Sequence, residues 1–161
     1  MQLKMWLLLV AGFIPLIVGF VWYNPKVFGY AWMKTIGKTE DDLKGANMAL
    51  IFGLTYLFGC MLAMALMSIV IHQWGFNSVF QGDTSVESAS YTKHFFETYG
   101  DRFRTFKHGV LHGSITGTFL ALPIIGTNAL FERRSAKYVA IHVGYWVVTM
   151  ALMGGLLCQF M

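Results

Sequence analysis

The chain has 161 residues, of which 56% are hydrophobic, 16% aromatic and only 12% charged. Soluble domains carry about 25% charge, so this chain cannot cover a folded surface with polar groups, and lipid is expected to be part of its solvent. The net charge of +4 does not point to nucleic acid, because the basic residues fall in the breaks between apolar runs, where membrane proteins keep them.

Four segments lack Lys, Arg, Asp and Glu for long enough to cross a hydrocarbon layer of about 30 Å: residues 5–23, 46–76, 108–131 and 138–161. Backbone polar groups cannot stay unpaired in lipid, so each span is expected to be helical. The expected fold is all-α: one polytopic domain over residues 1–161, a four-transmembrane-helix bundle with an extramembrane loop at 77–107. Lys4 precedes an apolar run too long for a leader's core, and no small-x-small site follows it, so the run is expected to remain as the first span. Pro15 and Pro123 sit inside the first and third spans, and each should kink its helix.

Asn24-Pro25 is a turn signal directly after the first span. Thr39 followed by Glu40, Asp41 and Asp42 reads as an N-cap with acids in the first turn, so the second helix should start before the membrane. Within that helix Cys60, Met64 and Met67 share a stripe, with Met61 beside them and Met150 and Met153 able to face them. Soft sulfur ligands select Cu(I), but methionine is also the ordinary filler of packed helices, and packing is the favoured reading. Cys60 and Cys158 should lie at different depths and make no disulfide framework.

The segment 77–107 begins small and polar. It then places Tyr91, Phe95, Tyr99, Phe103 and Phe106 at near-helical spacing among Lys93, Glu97, Asp101, Arg102 and Arg104. The pattern predicts an amphipathic helix in the membrane interface, weakened by Gly100, against the alternative of an ordinary aromatic-rich loop.

The third span carries Gly109, Gly113, Gly117 and Ala121 at every fourth position, a ridge where another backbone can approach closely. The fourth answers with Ala136, Ala140 and Gly144. Whether the contact lies within or between chains stays open. His108 and His112 are one turn apart, His72 ends the second helix on the same side, and His94 lies in the loop between. Imidazoles so spaced suit a metal ion or haem. The competing reading is that they hydrogen-bond to water and headgroups, since no carboxylate or Cys completes a ligand set. His142 should lie toward the opposite face. Ser135 is the expected N-cap of the fourth helix, and the short Glu132–Arg134 loop makes the last two helices an antiparallel hairpin.

No span contains an acidic residue, which argues against a proton-coupled drug antiporter, since such transporters keep an intramembrane carboxylate. No nucleophile–base pair or phosphate loop appears either. The expected role is therefore non-enzymatic: a scaffold, an accessory subunit of a larger membrane complex or a homo-oligomer, in contact with lipid and with no cofactor predicted. The alternatives are a conduit or binding site for a metal ion or small ligand, and a haem-binding oxidoreductase subunit. Lys and Arg number seven in the first and third loops against five elsewhere, which predicts both termini and loop 77–107 outside.

The stretch Gly19-x-x-Trp22-Tyr23-Asn24-Pro25-x-x-Phe28-Gly29-x-x-Trp32, running on to Gly37, resembles the opening signature of a bacterial membrane family called domain of unknown function 1761. Leu130 to Arg134, Ile141-His142-x-Gly144-Tyr145 and Met153-Gly154 are similar to that family's C-terminal half. At His142 the family pattern more often has Asn, and the loop 77–107 is long for it. The resemblance implies a small multi-pass protein of the bacterial cytoplasmic membrane and no particular activity. In the motif corner, Trp22, Tyr23 and Trp32 suit the headgroup layer, and Glu132 is expected to meet Lys26 or Lys34.

Overall fold

The computed structural model describes residues 4–161, and among these it is all-helical. The first apolar segment is built in pieces. Helices α1 (Trp6–Ala11) and α2 (Ile14–Trp22) lead into a π-helical turn (Pro25–Gly29) and α3 (Tyr30–Ile36). Pro15 sits in the first turn of α2, where its missing N–H costs nothing, so the break falls at Gly12 and Phe13 before it. The path from Trp6–Trp22 into Pro25–Ile36 bends by 59°.

That bend has a local cause. The Asn24 side chain accepts from the Lys26 N–H, and the Asn24 carbonyl accepts from both Val27 and Gly29 at 2.9 Å. A Cβ on Gly29 would lie 2.8 Å from the Asn24 carbonyl carbon, so only glycine fits. Gly37 then ends α3 in the left-handed region (φ +67°), where a side chain is strained.

Thr39 instead bonds reciprocally with Asp42 at a single 3-10 turn (Asp41–Leu43) whose N-cap is Glu40: its N–H and hydroxyl donate to the Asp42 carboxylate, and its hydroxyl oxygen accepts from the Asp42 N–H. Those bonds hold the Asp42 carboxyl below its ordinary pKa. The long helix α4 (Met48–Val70) starts later, with Asn47 accepting from the Leu50 N–H. It also stops short of residue 76. Ile71 is extended (φ −107°, ψ 94°), and a separate helix α5 (His72–Val79) follows. His72 therefore opens a new helix rather than ending the old one.

Helix α6 (Val86–Tyr99), capped by Ser85, covers only the first part of the predicted amphipathic stretch. Phe103 turns into the left-handed region at φ +64°, and Phe106 already belongs to α7 (Phe106–Thr116). The aromatic stripe is thus split. Phe95 stacks on Phe76 of α5, with centroids 3.6 Å apart.

A π-helical turn (Gly117–Ala121) joins α7 to α8 (Leu122–Phe131) without ending the helix. The widened turn lies directly before Pro123 and accommodates the proline's missing donor, in place of a sharp kink. Ser135 accepts from the Tyr138 N–H and starts α9 (Ala136–Phe160), as its sequence predicts. Glu132 binds Arg134 at 3.1 Å. The expected partners Lys26 and Lys34 are replaced by this neighbour because the tight loop already places the guanidinium there.

α9 is the hub. Its most apolar stretch is 56% buried, against 22% for α4 and for Phe106–Phe131. The core gathers Leu8 and Ala11 of α1, Leu66 and Val70 of α4, and Met153 and Leu157 of α9. The glycine ridge packs within the chain: a Cβ on Gly113 would lie 2.7 Å from the Met150 carbonyl carbon, and one on Gly117 2.7 Å from the Val147 Cα. Gly109 faces Gly154, and Ala121 is buried along the same line.

The facing residues on α9 are therefore Val147, Met150 and Gly154, not Ala136, Ala140 and Gly144. Gly144 meets the Trp22 indole instead. Three helices are long and apolar enough to cross a membrane, or up to four if the bent pair Trp6–Trp22 and Pro25–Ile36 counts as one.

Candidate metal centre

The motif corner is an aromatic joint between α2 and α9. Trp22 Nε1 donates to the Ile141 carbonyl at 3.0 Å, in line with its indole lying over Gly144. Tyr23 OH lies 3.2 Å from His142 Nδ1, and its ring stands against Trp32 and Tyr145. Tyr145 OH donates to the Pro15 carbonyl at 2.9 Å. Phe28 folds back on Trp22 with centroids 4.6 Å apart. Trp22, Tyr23 and Tyr145 thus hold the first segment to the hub. Beside the joint, α2 and α4 diverge around a crevice of about 830 Å3 lined by Phe20, Trp32 and Phe52.

The sulfur stripe does not converge. Met64 is 58% exposed and Met61 60% exposed, whereas Met67 is 3% exposed and packs in the core with Met150 and Met153. Cys60 is half-buried against Gly12. Helical spacing put these residues near one another in sequence, but the stripe straddles the boundary between core and outer surface.

The histidines do converge. His72, His108 and His112 each present a ring nitrogen, and the three nitrogens lie within 4.8 Å of one another. His72 Nε2 and His108 Nε2 are 2.8 Å apart. The ring centroids of His72 and His112 lie 4.7 Å apart, and those of His108 and His112 4.5 Å. Three imidazoles around a tetrahedral ion, with metal–nitrogen bonds of about 2.0–2.1 Å, hold their nitrogens about 3.3–3.4 Å apart. To reach that spacing the 2.8 Å between His72 Nε2 and His108 Nε2 must open by about half an ångström.

Each ligand position has a structural cause. The Thr105 hydroxyl caps α7 by accepting from the His108 N–H, which fixes His108 in the first turn and His112 one turn on. The break at Ile71 turns the chain so that His72 comes across to them. The Val70 carbonyl, freed by that break, accepts from the Cys158 thiol at 3.4 Å. The thiol also lies 3.3 Å from the Phe103 carbonyl, and Arg104 Nε donates to the Cys158 carbonyl at 2.8 Å. Phe103 is stacked on His108, with centroids 5.0 Å apart and planes 16° from parallel.

Gln73, only 3% exposed, donates to the Tyr99 and Arg102 carbonyls at 3.0 and 2.8 Å. It pins the 99–105 loop over the cluster. Sequence reading missed Gln73, Phe103 and Cys158 as supports; a lone Gln inside an apolar run was the one available signal. His94, on α6, is outside the cluster, and His142 lies at the Tyr23 joint.

Among known proteins, a family profile described as protein of unknown function (DUF1761) matches residues 6–158. No curated protein and no solved structure shows significant similarity to the chain.

Proposed function

The chain belongs to the family described as protein of unknown function (DUF1761), and on that premise we propose that it is an integral membrane protein which binds a divalent transition-metal ion through His72, His108 and His112. The observation that carries this reading is the convergence of three ring nitrogens from two separate helices. Imidazole suits zinc, copper and nickel, and three histidines leave a fourth position open, the arrangement of reactive rather than purely structural zinc sites.

The purified protein in dodecyl maltoside, stripped with chelator and titrated with zinc, is expected to bind one ion per chain. Replacing His108 or His112 with Ala should weaken binding by at least about tenfold, as loss of a ligand must exceed the effect of losing its supports. His94→Ala and His142→Ala should bind normally. Wild-type binding no better than that of a variant lacking all three cluster histidines would overturn the proposal.

The reading includes a topology. Four crossings of a bacterial cytoplasmic membrane, with the bent first segment as one of them, and both termini and residues 77–107 outside, are what the Lys and Arg distribution supports. The histidine cluster then faces outward. Val86 is 89% exposed, so a cysteine placed there, with Cys60 and Cys158 replaced, should react with an impermeant maleimide in intact cells. Reaction at Ser135 instead would invert the assignment.

A further inference from the structure

A dication held by three neutral imidazoles keeps its whole charge, and the surroundings here do nothing to reduce it. The cleft beside the cluster has a volume of about 350 Å3 and is lined by His72, Gln73, Phe95, Tyr99, Arg102 and Phe103. Its walls hold no carboxylate. They hold a second positive charge instead: the Arg102 guanidinium lies over the Tyr99 ring at 5.6 Å and over the Phe103 ring at 5.2 Å. No ion pair to Arg102 occurs among the described residues. Phe103 is in turn stacked on His108, so the ring that the guanidinium contacts also contacts a member of the ligand set.

Two like charges facing one cleft repel unless an anion lies between them, and a bound cation sets the local electrostatics of its site. An ion with an open position and no acidic protein ligand takes that anion into its own coordination shell. Arginine is suited to the other end, since its planar fork pairs with carboxylate or phosphate oxygens.

We infer that this cleft is the binding site for an oxyanion, one oxygen ligating the metal at its open position and another hydrogen-bonded to Arg102. The inference rests on the metal reading above and adds the ligand class. Tyr99 and Phe95 give the cleft an apolar side wall, which suits an anion attached to an organic or lipid body as well as a free one.

Cobalt(II) is the probe, because its visible bands report the metal's coordination shell. The cobalt-loaded protein in dodecyl maltoside is titrated with inorganic phosphate and, separately, with phosphatidic acid in the same micelles. The bands should shift with at least one of them. In Arg102→Gln the half-saturating concentration should rise about tenfold, the usual effect of losing one charge-assisted hydrogen bond, and Arg102→Lys should recover part of it. A shift with phosphatidic acid alone assigns the anion to a lipid headgroup, and a shift with inorganic phosphate alone to a soluble source.

No shift with either anion in protein that holds cobalt overturns the inference, as does equal half-saturation in Arg102→Gln. Absence of cobalt bands in the wild-type chain removes the metal reading itself, and this one with it.

Discussion

Gly113→Leu is expected to lower the stability of the bundle by about 3 kcal/mol or more, the upper end for an overpacked contact. The reason is what a side chain there would strike. Its first carbon would lie 2.7 Å from the Met150 carbonyl carbon and 2.9 Å from the Ala151 Cα, and backbone cannot swing aside as a rotamer does. The two helices must separate. In lipid no gain in hydrophobic burial offsets the lost packing, because acyl chains are as apolar as leucine. Separation would also disturb Gly109 against Gly154 and Gly117 against Val147, since all three lie on one line.

Ile115 is 44% exposed on the other side of the same helix, so Ile115→Leu should be nearly neutral. Because the ridge packs within one chain, the Gly113 variant should melt lower in detergent without a change of assembly on native gels. A Gly113→Leu protein that melts with the Ile115 control would mean that α7 and α9 are not in backbone contact.

The ridge was legible because small residues every four positions leave a helix little else to do. Its partner was misread for an equally physical reason. Ala136, Ala140 and Gly144 repeat the same pattern, but small residues admit any large neighbour, and here Gly144 admits the Trp22 indole. The contact face of α9 contains Val147 and Met150, which no small-residue pattern reveals.

The same limit applied at Ile71. Nothing in Val70-Ile71-His72 is a helix breaker, yet the helix stops there, because its free carbonyl finds the Cys158 thiol and Gln73 in the following turn finds the Tyr99 carbonyl. These are tertiary partners, 88 and 26 residues away, and local propensity carries no trace of them. Without the break His72 would have continued the axis of α4. The spacing of His108 and His112 and the place of His72 on the same side were readable in sequence, and the break at Ile71 that makes His72 the start of a new helix was not.

Gln73→Leu tests whether that unread contact holds the site together. The side-chain amide uses both of its protons, on the Tyr99 carbonyl at 3.0 Å and the Arg102 carbonyl at 2.8 Å. The first belongs to the last residue of α6 and also accepts from the Arg102 N–H at 3.0 Å, so it would keep one of its two bonds. Leucine has nearly the same volume and no donor, so two carbonyls at the edge of the core would each lose a bond, at a cost of about 1–3 kcal/mol. The loss falls on the 99–105 loop, which keeps Phe103 left-handed at φ +64° and flat on His108. Zinc affinity should therefore fall with stability, by about tenfold if this loop acts as supports around metal ligands usually do. Gln81 is exposed, so Gln81→Leu should change neither the melting temperature nor the zinc titration. A Gln73 variant that melts lower but binds zinc as tightly as wild type would separate the two roles: the loop would brace α5 against α6, and the imidazoles would find their geometry from the helix ends alone.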